Sequence, residues 1–168
     1  MQQSWHEIIT ENGCLSYIND GRELKKLLEK YEQEKKRVCF CTGCCAAKSK
    51  INDIPKKLYK THRIIHFINY CESNNFIYGI LSGINRGIFW SDEIIEYYDF
   101  NPPKYTHEEY QSIGALTRKK CKQRQIDILI LYGPSPRQSR RVFAWLKYSK
   151  MPWHYMTKRQ NVSIPRFF

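Results

Sequence analysis

The chain has 168 residues, of which 42% are hydrophobic and 14% aromatic, which suits one compact domain with a real core and excludes a disordered chain. Its longest apolar run, Ile128 to Tyr132, falls far short of the roughly 20 residues of a membrane span. Residues 1 to 117 hold 15 basic and 15 acidic side chains, whereas from Arg118 onward 13 basic residues face one acid, Asp127, so the whole formal charge of +12 sits there.

Such one-sided basicity predicts a polyanionic partner, nucleic acid first, because each neutralised phosphate releases counterions. The bland alternative is a basic terminus without a specific partner. Met1 to Glu7 lacks a basic region followed by an apolar one, so a cytoplasmic protein without signal peptide or membrane contact is expected.

Along the chain, Trp5, Ile8, Ile9, Leu15, Tyr17 and Ile18 read as core-capping residues ahead of a turn at Asp20-Gly21. Arg22 to Lys36 carries Leu24, Leu27, Leu28 and Tyr31 at helical spacing, an amphipathic surface helix. Val38 to Thr42 is rich in strand formers and bounded by Gly43, a first core strand. A loop from Cys44 to Pro55 leads to a helix over Lys56 to Glu72, stopped by Ser73-Asn74-Asn75. Tyr78 to Gly83 is a second core strand whose apolar run opens at a small polar pair. After Asn101-Pro102-Pro103, Thr106 to Glu109 shows a capping box, and the helix it starts runs to about Arg124. Ile126 to Tyr132 is the third core strand, and Ser135 to Gln138 is a second capping box that opens a last helix. This alternation predicts a single α/β domain over 1–150, with its core at about 37–146, a mostly parallel central sheet and helices on both faces. Residues 151–168 read as a basic, aromatic tail.

Four of the seven cysteines, Cys39, Cys41, Cys44 and Cys45, lie within seven positions. Without a secretion signal they imply reduced thiols rather than disulfides. Cys41 to Cys44 is a C-x-x-C, but no second ligand pair follows, and Cys39 and Cys41 alternate along a strand as small hydrophobes would. No cofactor and no metal are expected, the alternative being a metal held by the cluster with Cys14, Cys71, Cys121 or His62 as a distant ligand. Cys44 stands in a loop that should face Ser82-Gly83, with Lys48 nearby to lower a thiol pKa or to contact phosphate; an ordinary lysine-rich loop would read the same. Asp92, Glu93, Glu96 and Asp99 supply carboxylates, and Asp99 is set among Tyr97, Tyr98 and Phe100. Gly133 to Gln138 lacks the glycines and lysine of a P-loop, so nucleotide triphosphate hydrolysis is not supported.

Three segments, Cys44-x-x-x-Lys48, Leu58-Tyr59-Lys60-Thr61, and Ile80 to Ile88 followed by Glu96-Tyr97-Tyr98-Asp99, resemble the core of archaeosine synthase. They also resemble the YaaA-type peroxide-stress DNA-binding proteins and related small uncharacterised α/β domains. The chain departs from these in the Gly43 before the cysteine and in the Asn85-Arg86-Gly87 step. The resemblance implies a small α/β domain that handles nucleic acid or a modified nucleobase.

The combined expectation is a nucleic-acid-binding protein that handles a target or modified nucleobase in tRNA or DNA. Its crevice would be lined by Cys44, Lys48, Ser82, Asn85 and Asp99. Phosphates would be held by Arg118, Lys119, Lys120, Lys122, Arg124, Arg137, Arg140, Arg141, Lys158 and Arg159, with Trp153 and Tyr155 stacking on bases. The alternatives are a lyase, transferase or hydrolase acting on a deazapurine-like or nucleoside compound, and a non-catalytic subunit of a nucleic-acid-modification complex.

Overall fold

The computed structural model describes residues 4–44, 52–83, 87–96, 105–133 and 139–157. Among these, six strands form one sheet: β1 (Cys14–Ile18), β2 (Val38–Gly43), β3 (Tyr78–Ser82), β4 (Gly87–Trp90), β5 (Ile128–Gly133) and β6 (Trp153–Thr157). Their order across the sheet is β1-β6-β5-β2-β3-β4. All neighbours run parallel except β4, which pairs antiparallel to β3 with Ser82 opposite Gly87 and Gly79 opposite Trp90. No helix among the described residues is long and apolar enough to cross a membrane.

The period-2 alternation of the strands splits the core in two. Cys39, Cys41, Leu129, Leu131, Trp153 and Tyr155 face the layer of α1 (Trp5–Glu11), α5 (His107–Gln123) and α6 (Arg140–Ser149). Phe40, Ile130, Tyr132 and Met156 face α2 (Gly21–Gln33), α3 (Pro55–Leu58) and α4 (His62–Ser73). The expected α/β architecture, a mostly parallel sheet with helices on both faces, is what the chain adopts.

Several elements differ from the sequence reading. The helix expected over Lys56 to Glu72 is two helices, because the chain is extended at Tyr59 (φ −84°, ψ 131°) and Thr61, which lets the adjacent Leu58 and Tyr59 both reach the core. Residues 153–157, read as tail, are instead a core strand between β1 and β5. Trp153 and Tyr155 are at most 1% exposed, so neither is available to stack on a base. The capping box at Thr106 forms as expected, with Thr106 Oγ1 accepting from Glu109 N and Glu109 Oε2 accepting from Thr106 N. Ser135 to Gln138 lies outside the described residues; the described helix begins at Arg140 with Ser139 at its N-cap.

Helices α2, α4 and α5 end alike. Lys35, Asn75 and Gln125 adopt left-handed backbone (φ 55–58°), and the amides of Lys36, Phe76 and Ile126 donate back to the carbonyls of Tyr31, Cys71 and Cys121 at 2.9 Å. With the amides of Lys35, Asn75 and Gln125 donating to the carbonyls of Glu32, Glu72 and Lys122, this double closure satisfies free helix carbonyls and turns the chain sharply toward the next strand.

Candidate functional site

In a sheet of this order β2 connects onward to β3 on one side, while β5 connects to β6 on the other. The chain therefore diverges between the carboxyl ends of β2 and β5, the place where open α/β sheets bind ligands.

Polar groups gather there. Thr42 Oγ1, fully buried, donates to the Tyr132 carbonyl at 2.7 Å and ties the two strand ends together. Arg63, in the first turn of α4, donates from Nη1 to Thr42 Oγ1 (2.5 Å) and from Nη2 to the Gly43 carbonyl (2.8 Å). These bonds fix a half-buried guanidinium over the end of β2. From the opposite face the start of α6 presses in: a Cβ on Gly43 would lie 2.8 Å from Val142 Cγ2, and one on Gly133 would lie 2.6 Å from Ser139 Oγ. Glycine at both strand ends is what permits this approach.

Of the residues expected in the crevice, Cys44 and Ser82 are brought side by side. Cys44 N donates to the Leu81 carbonyl at 2.8 Å, and Ser82 is buried at the end of β3. A Cβ on the following Gly83 would collide with the Tyr105 hydroxyl. Burial, and then the nearby Cys44, push the Tyr105 phenol up to about 12, against the opposing pull of Arg141, whose guanidinium lies 5.4 Å from the Tyr105 ring centroid. Lys48, Asn85 and Asp99 lie outside the described residues, as do Arg137, Lys158 and Arg159.

The expected phosphate-binding cations that the structure describes divide between two ends of the sheet. Arg140 and Arg141 open α6 at the carboxyl edge. Because α5 runs antiparallel to β5, its basic end lies at the amino edge of the sheet, and the helix itself is about 25 Å long. There Lys120 Nζ is bonded to both Glu93 carboxylate oxygens (2.7 and 2.8 Å) and sits over the Phe89 ring. Arg124 is paired with Asp92 at 2.8 Å and lies over the Trp90 ring. Arg118 is half-buried, and Lys119 and Lys122 are exposed.

The buried cysteines behave as small hydrophobes. Cys39, Cys41 and Cys71 have thiols raised by burial, and Cys121 is pushed up to about 12 by the same cause. Among the described residues no three His, Cys, Asp or Glu side chains are grouped to hold a metal ion.

Sequence reasoning missed Arg63. It looked like one cation on a helix, and only the order of the strands puts it over the divergence point. Comparison with protein-family models, with curated proteins and with solved structures gives no match for this chain.

Proposed function

We propose that the chain is a nucleic-acid-binding protein that takes a phosphate, and the base attached to it, at the carboxyl edge of β2 and β5. The observation that carries this reading is the Arg63 guanidinium, anchored through Thr42 Oγ1 and the Gly43 carbonyl over the point where the connections diverge. A planar fork of donors suits phosphate in a way an ammonium does not. The net charge of +12 and the likeness of the Cys44, Tyr59 and Ser82 segments to nucleobase-handling families support the same class of ligand.

Fluorescence anisotropy with labelled single-stranded RNA and DNA tests it. Affinity should fall by roughly tenfold or more between about 50 and 200 mM salt. Arg63→Lys should weaken binding while the charge is conserved. Lys119→Ala with Lys122→Ala should weaken it less than Arg140→Ala with Arg141→Ala, which separates the two basic ends. Affinity indifferent to salt would overturn the reading.

A further inference from the structure

The flank of β1, across β6 and β5 from the divergence point, holds a separate feature. A cleft of about 350 Å³ opens between β1 and α2. Ser16, Tyr17 and Ile18 form its strand wall; Glu23, Lys26, Leu27 and Lys30, spaced i, i+3, i+4 and i+7, form one stripe of α2 opposite. Ile18 is buried and Leu27 half-buried, so the floor is apolar.

Lys26 and Lys30 stand one turn apart on the rim, both exposed, and no ion pair among the described residues involves either. Like charges at this spacing repel. Glu23 on the same stripe keeps its negative charge while its Oε2 accepts from Asn19 N at 2.8 Å and from Asn19 Nδ2 at 3.2 Å, so the helix wall of the cleft carries a net charge of +1 from two lysines and one glutamate.

Behind the cleft lies His154, 4% exposed, with both ring nitrogens engaged: Nδ1 lies 2.7 Å from Ser16 Oγ and Nε2 lies 2.6 Å from the Tyr31 hydroxyl. The direction of this chain follows from satisfaction. The buried Tyr31 hydroxyl has Nε2 as its acceptor, and turning its hydrogen elsewhere would leave a buried donor unmet. Tyr31 therefore donates to Nε2, Nδ1 carries the ring proton and donates to Ser16 Oγ, and the Ser16 hydrogen turns outward. Burial, and then Lys30, hold His154 down to about 4, so the ring is neutral at neutral pH as this relay requires.

We propose that the cleft is a binding site for a small organic anion, with the Ser16 hydroxyl and the Lys26 and Lys30 ammonium groups on a phosphate or carboxylate head and an apolar body on Leu27 and Ile18. The site is independent of the divergence point.

Isothermal titration of the full chain with phenyl phosphate, benzoate and neutral benzyl alcohol tests the proposal. At least one of the anions should bind at a single site and the alcohol should not; the stronger anion identifies the head. Lys26→Ala with Lys30→Ala should cost about tenfold or more in affinity. Ser16→Ala also removes the acceptor of the buried His154 Nδ1, so its melting temperature is measured alongside; in folded protein it should cost about fivefold in affinity, and Arg63→Lys should change nothing. Absence of binding by both anions, or binding that survives the double lysine change, would overturn the site. Unchanged affinity in Ser16→Ala would overturn the assigned role of the hydroxyl.

Discussion

His154 shows what single-residue burial does to chemistry. Its folded pKa of about 4 lies below the ordinary 6.5. The unfolded chain therefore binds a proton that the folded chain refuses, and stability contributed by this residue is complete above about 6.5 and lost as pH falls toward 4. Chemical denaturation of the parent and of His154→Gln across that window should show a difference on the order of 3 kcal/mol building up as pH falls. The buried thiols make a second prediction at this scale. Alkylation of the native protein at neutral pH should leave Cys39, Cys41, Cys71 and Cys121 unmodified, because they are fully buried and raised well above neutrality. Peptide mapping by mass spectrometry checks this. Cys39 and Cys41 were legible as core, because a period-2 strand puts both on one face. His154 was not, because nothing local marks a histidine whose two partners lie 138 and 123 residues away.

Among the elements, α5 is clamped from two sides. Gly114 meets α6 so closely that a Cβ would lie 2.6 Å from Ser149 N and from the Tyr148 carbonyl oxygen. Backbone cannot swing aside as a side chain can, so Gly114→Ala should cost roughly 1–3 kcal/mol in thermal unfolding despite the better helix propensity of alanine. At its other end Lys120 and Arg124 grip the turn after β4. Lys120 is 14% exposed and Glu93 32%, against 42% and 67% for Arg124 and Asp92. Glu93→Gln should therefore destabilise by about 1 kcal/mol, and Asp92→Asn by less than about 0.5 kcal/mol. The left-handed residues that end α2 and α5 invite the opposite experiment: Lys35→Gly and Gln125→Gly should each stabilise by about 0.5–1 kcal/mol. Helices α2 and α5 and the three central strands could be read from pattern alone, whereas the break at Tyr59 that separates α3 from α4 could not. Strands β1, β4 and β6 could not. β4 spans four residues, β1 is half-exposed at the sheet edge, and β6 interrupts its apolar run with His154 and Thr157, which tertiary partners rather than local pattern keep buried.

At the scale of the molecule, the described basic residues of α5 and α6 lie at two ends of the sheet instead of on one surface. That geometry is invisible in a linear count, where Arg118 to Arg141 looks like a single block. The topology also makes the chain intolerant of truncation. A chain cut after Lys150 loses the strand that holds β1 to β5, together with the buried Trp153, Tyr155 and Met156, and should show no cooperative unfolding transition by circular dichroism.

Strand β6 also carries a consequence for synthesis. Cys14 pairs with Trp153 and Ile18 with Met156, so an early strand waits for a late one. On the ribosome, β2, β3 and β5 can assemble as they emerge, while β1 has no neighbour until residue 157 has been made. During that interval β1 and β5 each expose an unpaired ladder of amides and carbonyls, both competent to recruit a strand from another nascent chain. Aggregation in this protein should accordingly begin at the open slot that β6 later fills, in chains whose β6 has not yet docked between β1 and β5.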